Sequence, residues 1–109
     1  MQLSAPEVAD LSRETEATLE AYGVNRPDKQ QATFSRICLL GRRLLERGVR
    51  FVSIYCGSHN NVPDFNWDAH ANLERNHRMN ALISDQPIGA LLDDLQSRGL
   101  LEDTLVVWT

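Results

Sequence analysis

At 109 residues, 42% hydrophobic and 24% charged, the chain has the length and composition of one soluble globular domain with a modest core, which excludes an intrinsically disordered protein. A net charge of -4 and a pI near 5.2 exclude a general nucleic-acid binder, which needs a basic face to displace counterions from phosphates. No run of eighteen or more apolar residues is present, so no segment reads as a membrane span.

Ten of the eleven cations are arginines, and five of them fall between Arg26 and Arg47, a strip that reads as the solvated face of a helix. The first residues, Met1 to Glu7, lack the basic-then-apolar order of an export signal. Cys38 and Cys56 have no second cysteine pair near them to suggest a zinc site, and read as two buried thiols, with a disulfide as the alternative.

A capping box, Ser4-Ala5-Pro6-Glu7, opens a peripheral helix over about residues 5–22, with Val8, Leu11, Thr15, Leu19 and Tyr22 at helical spacing and Gly23 as its stop. Asn25-Arg26-Pro27-Asp28 is a turn. A second helix follows over about 28–47, where Phe34, Ile37, Cys38, Leu40, Leu44 and Leu45 keep a 3.6-residue period. Arg36, Arg42, Arg43, Glu46 and Arg47 are assigned to its opposite, solvated side. Gly41 falls on the apolar face, where it allows close approach of a neighbour, and Gly48 ends the helix.

Val49 to Cys56 is rich in β-branched and aromatic residues and almost continuously apolar, so residues 50–56 are expected to form a strand buried on both faces of a parallel sheet. A polar loop, Gly57 to Asp64, leaves that strand at its carboxyl end, where α/β sheets bind ligands. A third helix is expected over about 70–98, carrying Leu73, Met79, Leu82, Ile83, Ile88, Leu91, Leu92 and Leu95, with a bend near 84–87. Thr104 to Trp108 repeats the buried-strand pattern, so the two strands are expected to lie parallel with a right-handed crossover. Two strands make a poor sheet, and the chain stops on the second. It is therefore expected to be a single partial domain of a larger α/β protein, order helix-helix-strand-helix-strand. Strand edges left open would favour self-association.

The chemistry-bearing stretch is Asn66-Trp67-Asp68-Ala69-His70. In extended backbone, residues i and i+2 point the same way, so Asp68 and His70 can face one divalent cation. The competing structural reading makes Asp68 the N-cap of a helix starting near Ala69, with His70 in its first turn. A further arrangement places His70, Glu74 and His77 on one helical face, without the glutamate between two histidines of helical metalloproteases. His59, in the polar loop, is near enough in sequence to join the same pocket. Trp67 and Trp108 can stack a ligand or fill a core. No phosphate-binding glycine loop, dinucleotide fingerprint or nucleophile elbow occurs, and no catalytic residue is assigned.

Together with Leu91-Leu92-Asp93-Asp94-Leu95 and the closing Gly99 to Thr109 segment, the Asn66 to His70 stretch resembles the bacterial sulfatase-like proteins of unknown function within the alkaline phosphatase superfamily, over nearly the whole chain. The resemblance implies an α/β sandwich with a metal site at the carboxyl ends of its strands, Asp68 and His70 as metal ligands, and zinc, calcium, magnesium or manganese as the ion. It also implies an exported, periplasmic parent. Alkaline phosphatases separate the corresponding Asp and His by three residues rather than one. The nucleophile and the remaining ligands lie outside this stretch of chain. Ester hydrolysis between two cations needs ligands from several elements, so the chain by itself is expected to be inert. The alternative is a non-catalytic structural or interaction module of the same fold, in which Asp68 caps a helix and the arginine strip meets an acidic partner.

Overall fold

The computed structural model describes residues 5–56 and 66–109. Four helices and one 3₁₀ turn make up its regular structure: α1 Ala5–Ala9, α2 Glu16–Tyr22, α3 Lys29–Glu46, α4 Leu73–Ser97 and a turn at Leu101–Asp103. The single helix expected over 5–22 is two short ones. Asp10 interrupts it by accepting the Ser12 backbone N–H at 2.9 Å, and Thr15 then restarts it by accepting the Thr18 N–H at 3.2 Å. The expected N-cap Ser4 lies outside the described residues.

Glycines close the three longer helices in one way. At Gly23, φ is 78°, its N–H bonds the Glu20 carbonyl and the Val24 N–H bonds that of Leu19, the paired bonds of a Schellman motif. The same pair closes α3 at Gly48 and α4 at Gly99. Asp28 caps α3 by accepting the Gln31 N–H at 2.9 Å.

The α/β expectation is overturned: the protein is helical, and among the described residues no strand forms. Residues 51–56 and 104–109 have no regular hydrogen-bonded structure. Along the first segment, exposure alternates with a period of two. Phe51 and Tyr55 are 82% and 80% exposed, whereas Val52, Ile54 and Cys56 turn toward the core. The segment is thus a ribbon laid on α3 by one face, not a strand buried on both. Leu105, Val107 and Trp108 in the second segment are also exposed. Apolar, β-branched sequence gives extended backbone here without a neighbour to complete a ladder, because propensity reflects packing on a pleated surface rather than pairing itself. With no strand among the described residues, no strand edge is there to pair, and the expected self-association by edge pairing is not supported.

The core joins Tyr22, Val24, Phe34, Cys38 and Leu39, with Leu19, Ile54, Ile83, Ile88 and Leu91 packed around them. Its main interface is α3 against α4. Gly41 is the point of closest approach for the 50–56 ribbon: a Cβ there would stand 2.9 Å from Ile54 Cδ1.

On α4 the buried face differs from the apolar stripe read from the sequence. Leu73 and Leu82 are 57% and 51% exposed, while Asn76, Asn80 and Ser84 are buried. These polar side chains bond backward along their own helix, Asn76 Nδ2 to the Ala71 carbonyl, Asn80 Nδ2 to that of Asn76 and Ser84 Oγ to that of Asn80, at 2.8–2.9 Å. Their hydrogen-bonding demand is met locally, so burial leaves few orphaned groups and small side chains let α3 come close. Pro87 sits inside α4 without ending it.

Candidate functional site

Asp68 and His70 lie in the irregular stretch before α4. The helix starts at Leu73, and its N-cap is Asn72, held at φ 50° with no side-chain cap bond. Asp68 therefore does not cap α4, and that structural reading is withdrawn. Instead Asp68 Oδ1 and His70 Nε2 approach to 3.2 Å, with side chains 87% and 88% exposed. Two ligands of one tetrahedral zinc, at bond lengths of about 2.0–2.2 Å, stand about 3.3–3.6 Å apart. The pair stands just short of that range, at the distance of a direct ion pair, so a small separation of the two side chains would admit an ion. Among the described residues, no group of three or more His, Cys, Asp or Glu side chains is arranged to hold a metal ion. His59 lies outside the described residues.

The alternative helical face also dissolves, since His70 precedes α4. His77 turns away from it: its Nε2 lies 3.0 Å from the Trp67 carbonyl, and its ring packs on the Trp67 indole at 5.5 Å between centroids. Trp67 meets Trp108 edge-to-face at 6.5 Å. His77 and Trp108 thus brace the residue immediately before Asp68. The two tryptophans form one aromatic cluster rather than separate core residues.

The largest departure from the sequence reading is on α3. Arg42 and Arg43, expected in solvent, are 1% and 4% exposed. Arg42 pairs with Glu14 at 2.6 Å and Glu46 at 2.8 Å, and its Nε lies 2.9 Å from Asp94 without hydrogen-bond alignment. Arg43 shares Glu14 and donates to the Val8 and Glu7 carbonyls, tying α1 to α3. Asp94 in turn accepts from Tyr22 Oη at 2.9 Å and from Arg98 Nε at 2.6 Å, and Arg98 reaches Glu46 at 2.8 Å. One network therefore links α1, α3, α4, Glu14 ahead of α2 and Tyr22 at its end.

Burial alone would raise the carboxyls of Glu14 and Asp94. The guanidiniums of Arg42 and Arg43, for Glu14, and the bonds from Arg98 and Tyr22, for Asp94, outweigh it and hold both below the usual range. Burial and the neighbouring Asp94 carboxylate push the Tyr22 phenol far up, so it stays a donor. Every charge has an opposite partner, the condition under which buried ions persist. The spacings Arg42–Glu46 and Asp94–Arg98, both i,i+4, were visible in the sequence; the Arg42–Asp94 and Arg98–Glu46 contacts that join the two pairs, and Glu14 between Arg42 and Arg43, were not.

An open groove of about 680 Å³ runs between α2 and α4, lined by Ala17, Ala21, Asp85, Gln86, Gly89 and Asp93 among others. Neither Asp68 nor His70 borders it.

A family described as a protein of unknown function (DUF1501) matches residues 1–109. The chain belongs to the DUF1501 family. No curated protein and no solved structure matches it. No helix among the described residues of this DUF1501 protein is long and apolar enough to cross a membrane. The family's description carries no hydrolase or metal-binding assignment, so those descriptors do not come with membership.

Proposed function

We propose that this DUF1501 chain is part of a metal-dependent phosphate- or sulfate-ester hydrolase, related to the sulfatase-like branch of the alkaline phosphatase superfamily, in which Asp68 and His70 donate to a divalent cation. The observation that supports the reading is the pair itself. An acid and an imidazole meet at 3.2 Å in solvent, and the helix-capping role that would explain Asp68 otherwise belongs to another residue. A bound cation would act as a Lewis acid on an ester oxygen. Asp68 and His70 would hold and orient it, and Trp67, braced by His77 and Trp108, would fix the backbone from which they project.

Two donors hold an ion weakly, and no nucleophile is assigned among these residues, so the chain alone is inert. Calorimetric titration with zinc and with manganese tests the reading. Weak binding that disappears in Asp68→Ala and in His70→Ala is expected. Binding that survives both substitutions, or no binding to the unmodified chain, refutes the ligand role and leaves a non-catalytic structural module. That module would not present the full arginine strip to an acidic partner, because Arg42 and Arg43 are themselves buried and already paired with Glu14, Glu46 and Asp94.

A further inference from the structure

The two cysteines, Cys38 in the core and Cys56 packed against it, take no part in the metal pair. Gly41 lets the 50–56 ribbon rest directly on α3, with Ile54 Cδ1 2.9 Å and Val52 Cγ1 3.7 Å from the position a Cβ would take. Residues 52, 54 and 56 share the inward face of the ribbon, since alternate side chains of extended backbone point the same way. On α3, Cys38 is three residues before Gly41 and so lies on the same face, one turn nearer the helix N-terminus. The chain reverses between α3 and the ribbon, which therefore runs back along the helix. Moving from Ile54 to Cys56 advances about 6.6 Å, and moving from Gly41 to Cys38 advances about 4.5 Å in the same direction.

This register brings Cys56 to the part of α3 that carries Cys38, and Cys56 packs against the core cluster that includes Cys38. Both are free thiols, Cys38 buried with no exposure and Cys56 half-buried against the same core. Burial raises both thiols, Cys38 to about 12, and the charge of Cys56 adds to the rise at Cys38. The Trp67 side chain acts on Cys56 in the direction that favours its thiolate, against the burial that raises it, and Trp67 is the residue before Asp68.

We infer that Cys38 and Cys56 are a redox-convertible pair, closing to an intramolecular disulfide by exchange with a small-molecule disulfide, and that Trp67 reports the conversion. The Cys56 thiolate, the more accessible of the two, attacks one sulfur of the external disulfide and expels one thiolate. Cys38 then attacks Cys56 of the mixed disulfide, forming the protein S–S bond and expelling the second thiolate. The two protein S–H protons go to the two departing thiols. The protein gives up two electrons, and the external disulfide takes both. Closure ties the Cys56 sulfur to α3 and so changes the surroundings of Trp67, beside the Asp68–His70 stretch.

The experiment incubates the intact chain in oxidised and reduced glutathione mixtures, quenches with acid, unfolds and alkylates. In oxidising mixtures the mass is expected to fall by two hydrogens, both alkylation sites to be lost, and proteolytic mapping to join the Cys38 and Cys56 peptides within one chain. Cys38→Ser is expected to stop at one glutathione adduct on Cys56. Trp108→Phe, which leaves Trp67 as the only tryptophan, is expected to show an emission change on oxidation that Cys56→Ser abolishes. Two alkylatable thiols after equilibration with oxidised glutathione, or a link only between chains, overturns the inference. So does an oxidation-dependent Trp67 emission change that persists in Cys56→Ser. Because Cys56 is half-buried, Cys56→Ser keeps the test decisive even where Cys38→Ser fails to fold.

Discussion

Replacing Arg42 by methionine, similar in length but uncharged, is the sharpest test of the ion-pair network. Arg42 is 1% exposed and serves Glu14, Glu46 and Asp94, with Glu14 and Asp94 side chains only 8% and 14% exposed. Breaking a buried pair from one side costs about 3–5 kcal/mol, because the partner charge stays behind without solvent. Here Glu14 keeps Arg43, and Asp94 keeps Arg98 and Tyr22. The loss therefore falls near the lower end, about 3 kcal/mol, or a drop in Tm of roughly 10–20 °C for a domain of this size. Urea and thermal unfolding followed by circular dichroism at the helix band measure it.

The acid limb gives an independent reading of the same substitution. Glu14 and Asp94 have folded-state pKa values below their ordinary ones, so their contribution is fully present above the unfolded values. It is lost as pH falls below about 5 and through the folded values. Arg42→Met is expected to flatten this acid loss, since the guanidinium that helps depress both carboxyls is gone. A variant as stable as the parent to within about 1 kcal/mol, with an unchanged acid limb, would show that the network is incidental to the fold.

Gly23→Ala is expected to cost about 1–2 kcal/mol in urea unfolding, because φ is 78° and the new Cβ would meet Arg26 Cδ at 2.5 Å. At Gly41, a leucine is expected to cost about 1–3 kcal/mol and to expose Cys56 further to alkylation, by lifting the ribbon whose Ile54 rests on that position. Asp68→Ala and His70→Ala are expected to leave the urea midpoint where it is, since both side chains stand in solvent. A destabilised midpoint in either would reveal a structural role for the pair.

Where helices begin and end can be followed residue by residue. Asp28 before α3 and the glycines after α2, α3 and α4 act on their own neighbours through backbone bonds that need no distant partner. The proximity of Asp68 to His70 is of the same local kind, since two residues of chain keep them together. Gly41 as a point of close approach could also be foreseen, though the identity of its neighbour could not.

Tertiary structure decided the rest. A period of apolar residues names a face but not whether that face meets the core. On α4 the core took Asn76, Asn80 and Ser84, whose hydrogen bonds are satisfied along their own helix, and left Leu73 and Leu82 outside. Arg42 and Arg43 looked solvated because charge prefers water unless paired. The partners that reverse that preference, Glu14 and Asp94, are distant in the chain and become neighbours only after folding. Residues 50–56 and 104–108 have the composition of strands, but a strand is made by hydrogen bonds to another chain segment, which composition does not supply. The sequence by itself determined the glycine stops and the adjacency of Asp68 to His70. Which faces are buried, which charges are paired and whether extended segments become a sheet were decided by contacts that exist only in the folded protein.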